Sequence, residues 1–462
     1  MVPFWIASFL INIFLLGNIA GENLKQVFSL DQEFLPSDSS QALEFLQDSL
    51  KEQEIIEQSQ KNISLQRNRM LTTTELEPNT EYHFKLLKHA FEFGSALNAH
   101  VLLKNKSEIA KIYPSREKLI ENFDNHYRQS YLTEFDNFFN AGVTENAFKW
   151  TFMNRTAVTD WSLTDGINRF LKKKPELQKN FRGHCIFWNR TKRLPLYLQE
   201  ASQEKIKKEL LGKRLQVIRR YPNILEWDLI NEPLAKKANT EESQKKNQVV
   251  FDWREDFDLF VDLFKKAKQI NPQARFYLNE YGLLDGESTT EFIELANNLL
   301  KAGTPLDGIG IQGHLTERNF ASLANAEKNL DRLSSLGLDI KITEFDLSDK
   351  TCQAKLGNQT ERANYTQKML TLFFGTPAVK GIYFWGFIDS CHWRGEENAG
   401  LLKENFTPNE TGQMFLDLIK KEWSTDLQIV SNEKGGIGFL GFPGQYQVTN
   451  VATGKMKIIT LE

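Results

Sequence analysis

Eight short apolar runs, rich in β-branched and aromatic residues, alternate along the chain with amphipathic helical stretches. The runs lie near residues 89–97, 141–149, 181–188, 224–231, 274–281, 306–313, 339–345 and 381–389. Eight strands that alternate with helices at intervals of roughly 30 to 50 residues are typical of an α/β protein with a (β/α)8, or TIM, barrel. A doubly wound parallel sheet is the alternative, but no Gly-rich phosphate-binding turn opens any of the helical stretches.

The barrel pattern covers only part of the 462 residues. Helical periodicity over Ala42–Asn68 predicts an N-terminal helical extension before the barrel, and glycine-rich, strand-like residues predict a small C-terminal β appendage after it. The predicted organisation is a signal peptide at 1–21, the extension at 22–80, the barrel at 81–421 and the appendage at 422–462.

The apolar run at residues 2–17 carries no charge and is short for a membrane span, which needs about 20 residues. It suits the core of a signal peptide cleaved near Ala20 or Gly21, with a retained signal anchor as the alternative. We therefore expect a secreted, extracellular protein with no membrane segment after cleavage. Glycosylation is also expected, since Asn-x-Ser/Thr sites begin at Asn62, Asn105, Asn154, Asn189, Asn358, Asn364, Asn405 and Asn409.

Charge and cysteine content argue against a nucleic-acid-binding protein, a disulfide scaffold and a Cys-rich zinc module. The net charge is −3 and the pI about 6.3, so no positive field favours nucleic acid. Three cysteines are too few for a disulfide scaffold or a Cys-rich zinc module. Cys352 and Cys391 fall just beyond the seventh and eighth predicted strands, whose loops would be neighbours. A disulfide between them is a hypothesis, with free thiols as the alternative.

Polar residues gather at the carboxyl ends of the predicted strands, which in a barrel converge on the face where active sites are built. Glu232 ends the segment Trp227–Pro233, and Glu344 lies 112 residues later in Ile342–Asp346, consistent with the fourth and seventh strands. Two carboxylates across a barrel mouth are what glycosidic bond cleavage requires, one as a proton donor and one ionised opposite the anomeric carbon.

Five further segments narrow the interpretation. They are Thr144–Trp150 (TENAFKW), Gly183–Trp188 (GHCIFW), Asn279–Tyr281 (NEY), Asp307–His314 (DGIGIQGH) and the residues Trp385, Gly386, Asp389, Trp393 and Arg394. Together with the two glutamate segments they resemble glycoside hydrolase family 10, the retaining endo-β-1,4-xylanases, over roughly residues 80 to 425. The chain departs from that family at Asn189, where bacterial members usually have His, and at Glu280, where Asp is more frequent.

The resemblance implies a role for each matching residue. Glu232 would be the acid/base and Glu344 the nucleophile, supported by His314 and Asp346, while Asn231 would bind the 2-hydroxyl of the reacting sugar. The residues implied to bind the rest of the substrate are Glu145, Asn146, Lys149, His184, Trp188, Tyr281, Gln312, Trp385 and Trp393. No metal or cofactor is implied.

The predicted protein is therefore a secreted, monomeric endo-β-1,4-xylanase that acts on xylan. Two alternatives stay open, namely an endo-β-1,4-glucanase on the same scaffold and a non-catalytic carbohydrate-binding protein.

Overall fold

The computed structural model describes residues 39–112, 115–235 and 248–462, and the predicted signal peptide lies outside these ranges. Eight parallel strands form a closed barrel, as predicted. In order they are Glu92–Leu97, Ala141–Thr144, Phe181–Trp188, Glu226–Asn231, Arg275–Glu280, Gly308–Ile311, Asp339–Leu347 and Val379–Phe384. They are called the first to the eighth barrel strand below.

The barrel closes because the eighth strand pairs on both sides. Its Ile382 is in register with Ile342 of the seventh strand and with Phe93 of the first. A short extra strand, His314–Leu315, pairs in parallel with the end of the seventh strand and sets His314 beside Asp346. All eight carboxyl ends therefore open on one face.

The described α-helices surround the barrel and connect its strands. They are Ser39–Asn62, Ala99–Leu103, Lys106–Ile112, Glu117–Asn122, Asn125–Phe138, Trp150–Met153, Ser162–Lys172, Pro175–Lys179, Leu196–Gln199, Gln203–Glu209, Gln216–Arg220, Phe257–Ile270, Thr289–Lys301, Leu323–Ser334, Asp349–Leu356, Arg362–Gly375 and Glu410–Asp417. Shorter 3₁₀ turns lie at Thr191–Arg193, Gln359–Glu361, Asp389–Cys391 and Gly395–Glu397, and π-helical turns at Ile63–Arg67, Leu210–Arg214 and Leu418–Glu422. Among the residues described, no helix is both long enough and apolar enough to cross a bilayer.

The helix Phe257–Ile270 shows why these segments are helical. Leu259, Leu263 and Ala267 recur every fourth residue and are all buried, so one stripe of the helix packs against the barrel. The helix stops just before Pro272, which has no backbone N–H with which to continue it.

The predicted N-terminal helix is present as Ser39–Asn62 and packs against the helix Arg362–Gly375. Ile55 is buried in this contact, and Lys368 pairs with Glu52 at 2.6 Å. The two helices approach closely at Gly375, where a Cβ atom would lie 2.7 Å from the carbonyl oxygen of Ser59. The extension is therefore part of the helical layer around the barrel.

The C-terminal β segment combines with residues that precede the barrel. Glu81–His89 is hydrogen-bonded between Asp426–Val430 and Gly444–Asn450, and Met456–Leu461 completes a four-stranded antiparallel sheet. A separate antiparallel pair joins Arg69–Thr73 to Ile437–Gly441. The appendage is thus built from segments on both sides of the barrel in sequence, whereas the predicted boundaries assigned Glu81–His89 to the barrel.

A network of charged side chains lies at the amino-terminal end of the barrel interior. Lys341, whose side chain is 1% exposed, contacts both Glu92 and Glu226, and Arg182 bonds Glu226 at 2.9 Å. Burial raises the pKa of Glu92, against the attraction of Lys341. Burial also opposes ionisation of Glu226, but Lys341 and Arg182 together lower its pKa. The single ammonium group of Lys341 therefore forms ion pairs with two neighbouring carboxyl groups.

The hypothesis of a disulfide between Cys352 and Cys391 is wrong for this structure, because both cysteines are free. The Cys352 thiol lies in the field of Arg362 and Asp349, whereas the Cys391 thiol faces Glu145 and Tyr127. The two loops are neighbours, but their thiols are directed toward different surroundings.

We expect Lys341→Met to lower the free energy of unfolding by about 3–5 kcal/mol, since it leaves two buried carboxyl groups without their shared cation. The measurement is the midpoint of guanidinium denaturation at neutral pH. Lys380→Met is the matched control, because the Lys380 side chain is 44% exposed and its pair with Asp339 at 4.0 Å contributes little. Equal midpoints for the two variants would contradict the prediction.

Candidate active site

The two glutamates singled out by the sequence lie at the carboxyl-terminal face of the barrel. Glu232 directly follows the fourth strand, and Glu344 lies in the carboxyl-terminal half of the seventh. Their side chains are 12% and 6% exposed. Both carboxylates are thus held largely away from water, which strengthens every interaction they make.

Three amide side chains connect the two glutamates. Gln312 Nε2 lies 3.5 Å from Glu232 Oε1 and 3.3 Å from Asn231 Oδ1. Asn279 Nδ2 donates to the same Asn231 oxygen at 2.8 Å and to Glu344 Oε1 at 2.7 Å. The predicted site residues Asn231, Gln312, Glu232 and Glu344 therefore belong to one continuous hydrogen-bonded site.

Asn279 is held in one orientation by its neighbours. Thr343 Oγ1 donates to Asn279 Oδ1 at 2.6 Å, which leaves the amide nitrogen of Asn279 as the donor to Asn231 and Glu344. Gly310, on the adjacent sixth strand, makes the space for this side chain, because a Cβ atom there would collide with Asn279 Oδ1. The amide therefore points a fixed N–H at the Glu344 carboxylate.

A histidine and a second carboxylate support Glu344. His314 Nε2 lies 3.2 Å from Glu344 Oε2, and its Nδ1 lies 2.8 Å from Asp346 Oδ2. Burial opposes the charge on His314, but Asp346 and Glu344 outweigh it and raise the pKa of the imidazole to about 9. Burial likewise opposes ionisation of Glu344, yet the nearby His184 and His314 lower its pKa. Glu344 is thus kept as an anion.

Asp346 is itself fixed from two further sides. Trp393 Nε1 donates to its Oδ2 at 2.8 Å, and Arg394 Nη1 donates to its Oδ1 at 2.6 Å. Burial disfavours the anion, but His314 and Arg394 hold the pKa of Asp346 well below its usual range. Trp393 also packs edge-on against His314, with ring centroids 5.1 Å apart, and remains 48% exposed at the cleft.

His184 lies beneath the site, only 1% exposed. Its Nδ1 hydrogen-bonds Asp228 Oδ2 at 3.0 Å and lies 3.8 Å from Glu344 Oε1, while Trp385 packs against its ring. Asp228 is bonded in turn by Arg182. This placement supports Glu344 directly, and the substrate contact implied for His184 stays a prediction.

A lysine lies among aromatic rings on another side of the cleft. Lys149 Nζ is 5.1 Å from the ring centroid of Trp188 and 5.4 Å from that of Trp385, and it donates to Asn146 Oδ1 at 2.9 Å. Burial lowers the pKa of Lys149 and raises that of Glu145, although the two opposite charges attract each other. All five residues were predicted to bind substrate, and they form one polar and aromatic group here.

Glu232 adopts a backbone conformation that is uncommon outside glycine, with φ of +53°. Its backbone N–H donates to the carbonyl oxygen of Asn279 at 2.7 Å. Its carboxylate pairs with Arg190, whose Nε lies 3.0 Å from Glu232 Oε2. The predicted residue Tyr281 lies beside this pair, and burial followed by the charges of Glu232 and Glu280 raises the pKa of its hydroxyl.

The two departures from the expected pattern both hold loops together. Glu280, fully buried, accepts the backbone N–H groups of Leu234 and Tyr281. Asn189, also fully buried, donates to the carbonyl oxygens of Pro233 and Phe251, and its own oxygen accepts two backbone N–H groups. In the folded protein the Asn189 amide is therefore fully engaged and closed to a glycan.

Sequence reasoning left out four residues that contact the predicted site residues. They are Asn279, Asp228, Arg394 and Arg190. The first three lie within segments that the resemblance had quoted, and the register that pairs Asn231 with Asn279 is the signal that could have found Asn279. Arg190 had no signal, because the direction of a loop side chain does not follow from strand periodicity. In the described part of the chain, no group of three or more His, Cys, Asp or Glu residues is arranged to hold a metal ion.

Comparison with known proteins agrees with this architecture. The family model described as "Glycosyl hydrolase family 10" matches residues 84–417, which include every residue of the site. The chain belongs to that family.

Two curated relatives and one solved structure illustrate the likeness. "Endo-1,4-beta-xylanase 2" of Arabidopsis thaliana is 32% identical over 284 residues, 60% of this chain and 24% of that protein. "Anti-sigma-I factor RsgI6" of Acetivibrio thermocellus is 26% identical over 374 residues, 80% of this chain and 42% of that protein. The crystal structure of xylanase 10B from Thermotoga petrophila in complex with xylobiose has a TM-score of 0.57 at 21% identity, covering 72% of this chain and 95% of that one.

The chain thus spans 24% and 42% of the length of these two curated relatives. The likeness to the solved structure shows that the barrel fold is shared.

We expect Asp346→Asn to lower the pKa of His314 from about 9, because the neutral amide no longer attracts the imidazolium. The measurement is an NMR titration of the histidine ring resonances. The raised pKa of His314 contributes stability that is fully present below its unfolded value of about 6.5 and is lost as the pH rises to about 9. The difference in free energy of unfolding between wild type and variant should therefore be greatest below pH 6.5 and shrink toward pH 9. An unchanged His314 titration would contradict the assignment.

Proposed function

We propose that this family 10 chain is a secreted, retaining endo-β-1,4-xylanase. The supporting observation is the hydrogen-bonded site that joins Glu232 to Glu344 through Gln312, Asn231 and Asn279. Retaining glycosidases need two carboxyl groups about 5–5.5 Å apart, one protonated and one ionised. We propose that separation for this pair.

In the first chemical step Glu344 attacks the anomeric carbon while Glu232 protonates the departing glycosidic oxygen. The surroundings of Glu344 suit this role, because His314 and the Asn279 amide favour its anionic form and fix its two oxygens. The products are a covalent glycosyl-enzyme on Glu344 and a shortened polysaccharide with a new end.

In the second step Glu232, now ionised, removes a proton from water while the water oxygen bonds to the anomeric carbon and releases Glu344. Asn231 would bind the 2-hydroxyl of the same sugar, an interaction that strengthens in the transition state. Since Asn231 Oδ1 accepts from Gln312 and Asn279, its amide nitrogen is oriented for this contact.

Sugar binding is proposed for the remaining predicted residues. Lys149, Asn146 and Glu145 would bind hydroxyl groups of the non-reducing side, between the rings of Trp188 and Trp385. Tyr281 would contribute near the cleavage point and Trp393 at the exposed edge. The substrate is proposed to be xylan, the protein a monomer, and glycosylation is proposed at exposed sites such as Asn105, Asn364 and Asn405.

The experiment that tests the function is product analysis after incubation with xylan. The expected result is a ladder of short β-1,4 xylo-oligosaccharides whose new ends initially keep the β configuration. A parallel reducing-sugar assay on β-1,4-glucan tests the glucanase alternative, which predicts faster release of reducing ends from glucan than from xylan. Calorimetric binding of xylo-oligosaccharides, without hydrolysis after long incubation, would favour the non-catalytic alternative.

We expect Glu344→Ala to abolish hydrolysis of xylan and of aryl xylosides alike, because it removes the carboxylate that forms the covalent intermediate. The measurement is release of reducing ends, with the fold checked by circular dichroism. Glu317→Ala is the control, since Glu317 is an exposed residue that pairs with Lys350 at 3.5 Å. Near-normal turnover by the Glu344 variant would remove that residue from the mechanism.

We expect Glu232→Ala to reduce kcat/KM on xylan far more than on a dinitrophenyl xyloside, whose leaving group departs without a proton. A loss of about 10²- to 10⁴-fold on xylan is in the range for a general acid. Added azide should restore turnover of the aryl substrate by replacing the activated water. Equal losses on both substrates would argue against the acid role of Glu232.

A further inference from the structure

Arg190 is a buried cation that contacts the predicted acid/base residue directly. It lies in the loop after the third strand, its side chain is only 3% exposed, and its Nε is 3.0 Å from Glu232 Oε2. Asn189, the residue before it, fixes this loop by its bonds to Pro233 and Phe251. The guanidinium is therefore held in the site by the fold and is not a surface group that happens to reach it.

Arg190 binds both the side chain and the backbone of Glu232. Its Nη1 donates to the Glu232 carbonyl oxygen at 2.8 Å and to that of Asn189 at 3.1 Å. With the bond from Glu232 N–H to Asn279 O, both backbone groups of Glu232 are engaged. These contacts hold Glu232 in its left-handed backbone conformation, which residues other than glycine rarely adopt.

The pair also distinguishes the two carboxylate oxygens. Oε2 faces a permanent cation that can only donate hydrogen bonds, whereas Oε1 faces Gln312 and, beyond it, Asn231. A proton on Oε2 would be repelled by the guanidinium, so the proton that reaches the substrate must be carried by Oε1.

We propose that Arg190 is a positioning residue for the acid/base step, which holds Glu232 in place through Oε2 and reserves Oε1 for proton transfer. In the first step Oε1–H gives its proton to the glycosidic oxygen as the bond to the anomeric carbon breaks. In the second step Oε1 takes a proton from water as the new carbon–oxygen bond forms. The inference rests on the proposed function of Glu232.

Other charged and titratable groups around Glu232 do not duplicate this role. Tyr281 lies beside the pair, and the Glu280 carboxylate behind it is engaged by two backbone N–H groups. Glu344 and His314 lie across the amide chain formed by Gln312, Asn231 and Asn279. Burial disfavours the Arg190 charge, but Glu232 and then Glu280 raise its pKa, so it stays a cation throughout catalysis.

The test is the pH dependence of kcat/KM for Arg190→Gln and Arg190→Lys, each on xylohexaose and on dinitrophenyl xylobioside. On xylohexaose the basic limb reports loss of the proton from the acid, and loss of a neighbouring cation favours the protonated form. We expect Arg190→Gln to move this limb to higher pH by about 1 unit or more. On the aryl substrate, which needs no acid, the pH profile should keep its wild-type limbs.

Arg190→Lys separates charge from geometry. Lysine keeps the cation but lacks the rigid planar fork with which two separate nitrogens of Arg190 bind the carboxylate and the carbonyl oxygen. The basic limb on xylohexaose should stay at its wild-type pH, while kcat falls by about 10- to 100-fold because Oε1 is misplaced. Arg254→Gln is the matched control, an arginine that is 49% exposed and paired with Glu291 away from the site.

Two outcomes would overturn the inference. One is a folded Arg190→Gln variant whose basic limb on xylohexaose is unmoved, and the other is wild-type kcat in Arg190→Lys, which decides the question if the Gln variant does not fold. A merely structural role would lower kcat/KM on both substrates at every pH and leave the basic limb of each pH profile in place. If Glu232→Ala also loses the same factor of kcat/KM on both substrates, the proposed acid role of Glu232 fails, and the proposed function fails with it. If only the Arg190 variants depart from expectation, the proposed function stands and the role of Arg190 is wrong.

Discussion

The pairing of the eighth barrel strand with the first is the constraint on which the site depends. Once Val379–Phe384 binds Glu92–Leu97, the sheet has no free edge, and all eight carboxyl ends must face the same opening. Residues as far apart in sequence as Glu232 and Glu344 are then linked by only three amide side chains. The geometry of the site is therefore a property of the closed barrel, and the loops adjust it.

Each of the two glutamates has a cation of its own, and the two cations differ in kind. Glu344 lies beside His314, whose pKa of about 9 leaves it charged at neutral pH but able to lose its proton. Glu232 lies beside Arg190, which remains charged at any pH the protein meets. The two glutamates thus lie beside one adjustable and one permanent positive charge, and the amide side chains between them are uncharged.

Strand periodicity was enough to predict the barrel, and the resemblance to family 10 predicted which residues gather at its mouth. His314 and Asp346 were predicted as a pair, and the register of the short strand His314–Leu315 puts them side by side. Three features could not be predicted from the sequence. Arg190 reaches Glu232 from a loop, the pairing of Glu81–His89 with the tail depends on residues far away in sequence, and the direction of the Cys352 and Cys391 thiols is set by side-chain packing.

The sheet built from segments that precede and follow the barrel has a consequence for the order of assembly. Thr80 N donates to the hydroxyl of Ser431, 351 positions later. At about 5–20 residues per second, a ribosome needs roughly 20 to 70 seconds to make the intervening chain. During that interval Glu81–His89 has neither of its neighbouring strands, so the sheet that later covers its alternating apolar side chains is still missing. All eight barrel strands can thus be synthesised before the strands that complete the four-stranded antiparallel sheet exist.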